Sequence, residues 1–271
     1  MNEKYSLKDE LFANLKLEYP FKNLVEVPLS KLLSINTLDQ LYQLTRQAEG
    51  QTFTEKILNT LNVSLQVMQQ DLEKIPQKGP VIIVANHPFG GLEGILMASL
   101  LEKIRPDFKI MANYFLGLIP ELRDLFIFVD PFAGKNAAAK NVTPLKQALR
   151  LLKNDGLLVI FPAGAVSHFK ITQGVITDPP WQKNIGRLIE KASVQVLPVY
   201  FSGANKLPFQ TLGLIHPFLR TLMLPGELIN KQNMKFEMRI ASLISAKKLN
   251  HLSFKFATVN LAFVDNRDKG T

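Results

Sequence analysis

The sequence predicts an α/β fold in which a largely parallel central sheet is flanked by helices. Two observations lead to this class. From residue 81 onward, short runs of β-branched and other apolar residues alternate with stretches of helical periodicity. The segment PQKGP, residues 76–80, combines two prolines with a glycine and marks a break before that alternation begins. Strands separated by helices are typical of parallel sheets that are covered on both faces.

The region before the break, residues 1–75, shows mostly helical periodicity and no alternation typical of strands. A first helix is expected between a threonine N-cap at Thr37 and Gly50. A second helix is expected over residues 52–75, because an apolar stripe recurs there at helical spacing. The stripe consists of Phe53, Ile57, Leu58, Leu61, Leu65 and Met68. We interpret it as a face packed on the domain, with a membrane-surface helix as the alternative.

The elements after the break follow in chain order. Strands are expected at VIIVAN (81–86), FKIMAN (108–113), IFVD (127–130), LLVIFPAG (157–164) and VQVLPVYFSG (194–203). Helices are expected at LEGILMASLLEKI (92–104), TPLKQALRLLKNDG (143–156) and WQKNIGRLIEKA (181–192), and a helical or irregular segment at YFLGLIPELRDLF (114–126). The predicted organisation is an N-terminal helical region (1–75), a main domain (76–245) and a C-terminal tail packed on it (246–271).

The composition narrows the classes of protein. The 271-residue chain has no cysteine, which rules out disulfides and thiolate metal sites and favours a cytoplasmic setting. The first twenty residues are charged throughout, so a secretory leader is not expected. Uninterrupted apolar runs stay far below the ~20 residues that a membrane-spanning helix needs.

The formal charge of +9 and the pI near 9.6 indicate an anionic partner. Nucleic acid is disfavoured, because the sequence has no helix-turn-helix, zinc-finger or aromatic RNA-binding signal. A basic face is expected on two helices and the loop before them. It is a solvated face by default, and an acidic carrier protein or anionic headgroups are the partners it suits. Its members are Lys135, Lys140, Lys146, Arg150, Lys153, Lys183, Arg187 and Lys191.

The stretch NHPFGGLEG, residues 86–94, follows a buried strand at the position where α/β folds hold their sites. Its adjacent glycines permit positive φ, and Glu93 falls in the first turn of the next helix. The turn allows Glu93 to bind one imidazole nitrogen of His87 while the other nitrogen faces a ligand. A structural histidine is the alternative. The remaining histidines are isolated in the sequence and are expected to be structural: His168, His216 and His251.

NHPFGGLEG resembles the first block of the glycerolipid acyltransferase superfamily, usually written His-x4-Asp. The spacing here is His87-x5-Glu93, as in the subgroup of hemolysin-like and ornithine-lipid-type N-acyltransferases. FPAGAVS (161–167) resembles the superfamily block FPEGTRS and the subgroup block FPAGEVS. FVDPF (128–132) falls where a middle substrate-binding block is expected, and DPPWQKNIGRLIEKASVQVLPVYFSGAN (178–205) resembles a further subgroup segment. The resemblance covers roughly residues 75–245 in order.

The resemblance implies transfer of a fatty acyl group from a thioester of acyl carrier protein or coenzyme A to a hydroxyl or amine of a lyso-lipid. It implies no cofactor. A metal site is not expected, because the sequence has no His-Glu-x-x-His motif and no cysteine. His87 is the implied base, and Glu93 the group that orients it. The implied substrate-binding residues are Asn86, Phe89, Gly90, Gly91, Asp130, Phe161, Pro162, Gly164 and Ser167. Backbone N–H groups around Gly90, Gly91 or Gly164 are expected to stabilise the oxyanion.

The same resemblance implies a peripheral protein on the inner face of the membrane, with an anionic lipid surface and the acyl carrier or coenzyme A thioester as partners. Departures from the pattern lie on the acceptor side. Ala163 and Ala165 stand where the superfamily and the subgroup have glutamate, and Val166 stands where the superfamily has arginine. Near the C-terminus LMLPGELIN keeps Glu227 but has Gly226 in place of arginine. A catalytically weak relative that binds lipid or acyl carrier is therefore the alternative.

Overall fold

A computed structural model of the chain describes residue 6 and residues 34–47, 51–130, 141–215 and 217–245. The predicted C-terminal tail, residues 246–271, lies outside the described residues. Helix α1 (Ile35–Gln47) and helix α2 (Phe53–Thr60) confirm the two expected helices before the PQKGP break. The N-cap predicted at Thr37 is wrong, because α1 begins at Ile35 and Thr37 lies inside it. Helix α2 is held at its N-terminus by a reciprocal cap, in which Thr52 and Glu55 each accept the other's backbone N–H.

The helix predicted over residues 52–75 is wrong beyond its first two turns. The chain leaves the helix through Asn62, whose φ of 50° lies in the left-handed region, and continues as strand β1 (Ser64–Val67) and a short helix α3 (Gln69–Leu72). Strand β1 pairs in parallel with the last strand of the sheet, which supplies the backbone hydrogen bonds. Its exposed and half-buried residues alternate. A local helical stripe was therefore outweighed by pairing with a distant strand.

The sheet is largely parallel, as expected. The strands after β1 are β2 (Val81–Ala85), β3 (Phe108–Asn113), β4 (Phe126–Val129), β5 (Leu157–Ile160), β6 (His168–Lys170), β7 (Val175–Thr177), β8 (Gln195–Phe201) and β9 (Lys235–Ile240). In the described part of the chain, seven strands form one sheet in the order β1-β9-β8-β2-β5-β3-β4, and β6 and β7 form a separate antiparallel hairpin. Strands β8, β2, β5, β3 and β4 run parallel to one another, and β9 is antiparallel to β8.

Helices cover both faces of this sheet. They are α4 (Gly91–Ile104), α5 (Val142–Lys153), α6 (Lys183–Ala192), α7 (Leu207–Ile215) and α8 (Pro217–Ile229). The segment expected to be helical or irregular forms two 3-10 helices, at Tyr114–Leu118 and Pro120–Leu125. Helices α7 and α8, the β6–β7 hairpin and strand β9 were not predicted. None of the helices within the described residues has the length and apolarity that crossing a membrane requires.

The central strand β2 is buried along its whole length and sends alternate side chains into two cores. Ile83 packs in one core with Leu92 and Leu96 of α4, whereas Ile82 packs in the other with side chains of α5 and α6. Because both faces of β2 are covered, the strand is rigidly held. The turn at its carboxyl end therefore begins from a fixed position.

Candidate active site

The turn that follows β2 is tied to the neighbouring strand and closely packed. The Asn86 side chain accepts the N–H of Phe201 at 2.7 Å and donates to the carbonyl oxygen of the same residue at 2.9 Å. Gly90 has a φ of +104°, which side-chain-bearing residues rarely adopt, and a Cβ there would lie 2.7 Å from Leu224 of α8. Position 90 therefore requires glycine for both its backbone conformation and its contact with α8.

His87 and Glu93 lie next to each other at the carboxyl end of the sheet. The Nδ1 atom of His87 is 3.5 Å from Oε1 of Glu93. The same Oε1 accepts the backbone N–H of Phe89 at 2.5 Å and that of Gly90 at 3.2 Å. Glu93 is fully buried, while 19% of the His87 side chain is exposed. The histidine is therefore the member of the pair that a substrate can reach, and the carboxylate behind it is fixed by two amides.

Burial and neighbouring carboxylates act in opposite directions on the pKa of His87. Burial lowers this pKa, because desolvation disfavours the imidazolium, whereas the Glu93 carboxylate and, more weakly, Asp178 raise it. The carboxylates prevail, so the pKa of His87 lies above its ordinary value. The pair stabilises the charged imidazolium, which is the state that a histidine reaches when it accepts a proton.

The segment after β5, residues 161–167, forms a second wall beside His87. The Phe161 ring stacks on the imidazole with a centroid separation of 4.5 Å and an interplanar angle of 27°. At the other end of the segment, the Ser167 N–H donates to the His87 carbonyl oxygen at 2.8 Å. Side-chain stacking and a backbone hydrogen bond thus hold the histidine from the β5 side.

Between these two contacts the segment makes a tight turn. Gly164 has a φ of +65°, its N–H donates to the Phe161 carbonyl at 3.0 Å, and a Cβ there would collide with the Gln182 side chain. The carbonyl of Pro162 accepts the N–H of Gln182 at 3.0 Å, which joins the turn to the start of α6. Ala163 is buried and Ala165 is exposed. The turn keeps its glycine-dependent shape although both positions lack a carboxylate.

Asp178 is a site residue that the sequence analysis did not select. Its two carboxylate oxygens each accept the backbone N–H of His87 at 3.2 Å, and Oδ1 accepts the Ser167 hydroxyl. Burial raises the pKa of Asp178, and the hydrogen bonds from Ser167 and His87 oppose that rise. Asp178 is the first residue of the DPPW segment, and the family resemblance of that segment gave no role to this residue. No local pattern shows that it binds a histidine that lies far earlier in the chain.

Replacement of Asp178 by alanine is expected to lower the free energy of unfolding by about 1–3 kcal/mol, because it leaves the His87 N–H and the Ser167 hydroxyl without an acceptor. Denaturant unfolding of the purified variant measures this loss. Asp124→Ala is the matched control, since Asp124 is exposed and its side chain accepts no hydrogen bond from any residue that the structure describes. Its expected change is within about 0.5 kcal/mol. Equal unfolding energies for the two variants would contradict the bridging role of Asp178.

Phe89 forms the floor of the turn. Its ring packs edge to face on Phe236 at a centroid distance of 4.8 Å, and its carbonyl accepts the Asn205 side chain at 3.2 Å. Lys231 Nζ lies 5.1 Å from the ring centroid and 3.3 Å from a Glu227 carboxylate oxygen. Only 4% of Phe89 is exposed, so its side chain serves packing, and a direct contact with substrate stays a prediction.

The structure brings most of the predicted site residues together around His87, with one exception. Asp130 follows β4, which is separated from β2 by β5 and β3, so the two strand ends lie roughly 14 Å apart at the usual strand spacing. Its backbone is hydrogen-bonded to the Asn141 side chain. A role for Asp130 in substrate binding stays a prediction. Gly91, in contrast, borders open space beside the histidine turn.

The predicted basic face is exposed on α5 and α6 where the structure describes it. The described members are Lys146, Arg150, Lys153, Lys183, Arg187 and Lys191. Lys135, Lys140, His216 and His251 lie outside the described residues. His168 is described, and its Nδ1 lies 3.1 Å from the Val166 carbonyl oxygen.

Comparison with known families decides the family of the chain. A family model described as "Acyltransferase" matches residues 36–259. The chain belongs to this acyltransferase family. The matched range includes the histidine turn, residues 161–167 and the segment from Asp178 onward. Membership confirms the resemblance to the acyltransferase superfamily, while the narrower hemolysin-like and ornithine-lipid-type subgroup stays a prediction.

Two curated relatives of this chain are each named lyso-glycine lipid O-acyltransferase. The relative from Bacteroides thetaiotaomicron is 27% identical over 185 residues, which cover 68% of this chain and 65% of the relative. The relative from Phocaeicola vulgatus is 24% identical over 202 residues, which cover 72% and 69%. The chain thus spans a little under two thirds of the first relative's length.

Among solved structures, the chain is similar to the 1-acyl-sn-glycerophosphate acyltransferase PlsC from Thermotoga maritima. The sequence identity is 18% and the TM-score is 0.44, and the alignment covers 97% of this chain and 90% of the other.

Proposed function

We propose that this acyltransferase moves a fatty acyl group from an acyl thioester to the hydroxyl of a lyso-lipid. The observation that carries the proposal is the pair formed by part-exposed His87 and buried Glu93, with 3.5 Å between Nδ1 and Oε1, at the carboxyl end of the sheet. The relatives named O-acyltransferases support a hydroxyl acceptor. An amine acceptor, which the N-acyltransferase resemblance also allows, is the competing outcome of the test.

In the proposed reaction, His87 acts as a general base through Nε2, because Nδ1 faces Glu93. It takes the proton of the acceptor hydroxyl while the hydroxyl oxygen attacks the thioester carbonyl carbon. The new carbon–oxygen bond forms, the carbon–sulfur bond breaks, and the imidazolium returns the proton to the departing thiolate. Glu93 stabilises the imidazolium between these steps. The reaction requires no covalent enzyme intermediate and no cofactor.

The negative charge that develops on the thioester carbonyl oxygen needs a hydrogen-bond donor to stabilise it. Of the three glycine amides considered from the sequence, that of Gly90 donates to Glu93 and that of Gly164 donates to Phe161. The Gly91 N–H makes no hydrogen bond to any residue that the structure describes, and it opens the first turn of α4. We assign the oxyanion to this amide, since a helix N-terminus favours negative charge.

The acyl donor is proposed to be a thioester of acyl carrier protein or of coenzyme A. Both carriers are anionic, and the exposed lysines and arginines of α5 and α6 are suited to bind either. Varying the donor in the assay identifies the carrier, and varying the acceptor distinguishes a hydroxyl from an amine. One assay therefore answers both questions separately.

The deciding experiment is acyl transfer by purified protein from labelled palmitoyl carrier protein and from palmitoyl coenzyme A. The acceptors are paired lyso-lipids that differ only in carrying a free hydroxyl or a free amine. We expect an ester product from the hydroxyl lipid, identified by its lability to mild alkali. An alkali-stable amide product would show that the acceptor is an amine and would contradict the proposed hydroxyl acceptor.

A second candidate function is a lipid- or carrier-binding module without transfer activity. The segment at residues 161–167 favours this candidate, because Ala163 and Ala165 leave this wall of the site without a carboxylate. Binding of donor and lyso-lipid by the folded protein, with no product from any donor and acceptor combination, would establish the binding module and exclude the acyltransferase mechanism.

A further inference from the structure

We propose that the β6–β7 hairpin and one face of α7 form the surface by which this protein docks on an anionic lipid bilayer. The docking surface, called the apolar patch below, consists of Ile171, Val175, Ile176, Leu207 and Leu214. The proposal rests on the proposed function in one respect, since a lyso-lipid acceptor has to be taken from a membrane. It adds the location of the membrane contact, which differs from the basic face on α5 and α6.

The apolar patch is exposed to a degree that is unusual for aliphatic side chains. Leu207 is 74% exposed and Ile171 is 71% exposed, and the other three range from 42% to 49%. These five are half of the large hydrophobic residues that are exposed within the described part of the chain. Singly scattered hydrophobic residues are normal on a surface, but a cluster in two adjacent elements marks an interaction site.

Hairpin and helix are joined through a direct contact. The Phe169 N–H of β6 donates to the Gln210 side-chain oxygen of α7 at 2.8 Å. Leu207 and Leu214 lie three residues before and four residues after Gln210, so the three side chains share one face of α7. The part of α7 that carries the two leucines therefore lies next to strand β6 of the hairpin.

The hairpin is anchored at both ends on the proposed base. Ser167, which precedes β6, donates its N–H to the His87 carbonyl, and Asp178, which follows β7, accepts the His87 N–H. In addition, Lys170 Nζ donates to the Asp178 carbonyl oxygen at 2.8 Å. Insertion of the hairpin tip into a bilayer would therefore set the distance of His87 from the lipid surface.

The charges around the patch favour an anionic bilayer. Residues 167–177 and 206–226 contain Lys170, Lys206 and Arg220 and no aspartate or glutamate. Basic side chains next to exposed aliphatic ones are the combination that binds anionic membrane surfaces.

The dimensions also favour a bilayer over a protein partner. Each strand of the hairpin has three residues and spans about 10 Å, which matches the depth to which interfacial segments enter the headgroup and acyl boundary. A stable interface with a second copy would need roughly 800 Å² from each partner. The five patch side chains are each 42–74% exposed and together offer less than that.

The test is vesicle co-sedimentation of the full chain, with vesicles of phosphatidylcholine alone and with about one third phosphatidylglycerol. The variants are Ile171→Asp/Val175→Asp in the hairpin and Leu207→Asp in α7. The matched control is Leu44→Asp/Met234→Asp, which makes the same chemical change at exposed residues outside the patch. Because all these side chains are exposed, the variants are expected to keep the melting temperature of the wild type.

We expect the hairpin variant to bind vesicles at least about tenfold more weakly, the α7 variant to be weakened as well, and the control to bind like the wild type. Wild-type binding should be stronger with phosphatidylglycerol. Equal binding by hairpin variant and control would overturn the proposal. A change from dimer to monomer in light scattering, with unchanged vesicle binding, would overturn it in favour of an interface between two copies.

A second assay separates this proposal from the proposed function. With water-soluble short-chain donor and lyso-lipid, the hairpin variant is expected to transfer at the wild-type rate, whereas with vesicle-embedded acceptor it should be slower. Loss of vesicle binding in the hairpin variant together with no transfer by any protein would retain the docking surface and reject the acyltransferase mechanism.

Discussion

Alanine in place of His87 is expected to slow acyl transfer about 100- to 10,000-fold while the protein remains folded. The variant loses the group proposed to accept the proton of the acceptor, yet it keeps the backbone hydrogen bonds of position 87 to Asp178 and Ser167. Single-turnover transfer to the hydroxyl lyso-lipid measures the loss. Melting temperature and donor affinity should stay close to those of the wild type, because the imidazole is assigned a role in the chemical step alone.

His168→Ala is the matched control for this prediction. His168 lies in strand β6, close to the site, and burial lowers the pKa of its ring. Its Nδ1 faces the Val166 carbonyl, and no described carboxylate is placed to orient it as Glu93 orients His87. The control should retain most of the activity. A large loss in the His168 variant with little loss in the His87 variant would show that the base is assigned to the wrong residue.

The fold class and the position of the site were predictable because both depend on local patterns. Strand β2 is an unbroken apolar run, and the polar turn after it contains the only abrupt change from such a run to His, Pro and adjacent glycines. Alternation of strands and helices fixed the parallel sheet, and parallel strands place their carboxyl ends at one edge. The neighbourhood of His87 and Glu93 follows from the five positions that separate them in the sequence and needs no long-range information.

The features that the sequence did not predict depend on pairing between residues far apart in the chain. Val63, Leu65 and Val67 alternate with Ser64 and Gln66, which is a strand pattern, but the wider stripe matched a helix equally well. Only pairing with β9, far along the chain, decides between them. Asp178 was missed for the same reason, since its partners His87 and Ser167 belong to other elements. The β6–β7 hairpin has three-residue strands in which no residue is buried, so its sequence carries no periodic hydrophobic signal.

Glutamine in place of Glu93 is expected to lower the pH at which acyl transfer sets in and to lower its maximal rate. The proposed base would work as neutral imidazole, so the rate is expected to fall as the pH decreases through the pKa of His87. In the wild type, burial lowers the pKa of His87, and Glu93 and Asp178 raise it. The carboxylates have the larger effect, so the pKa lies above its ordinary value. The glutamine removes the negative charge and leaves the burial, so the pKa falls and the acidic limb of the profile moves to lower pH.

The maximal rate is expected to fall about 100-fold or more, because the imidazolium formed in the reaction loses the carboxylate that stabilises it. The Glu93 side chain is buried and accepts the N–H groups of Phe89 and Gly90, and the glutamine oxygen can accept the same two donors. The turn should therefore fold in the variant. The measurement is the pH dependence of kcat/KM for wild type and Glu93→Gln with a soluble acceptor. An acidic limb that stays in place, or moves to higher pH, would mean that Glu93 supports the turn without acting on the charge of His87.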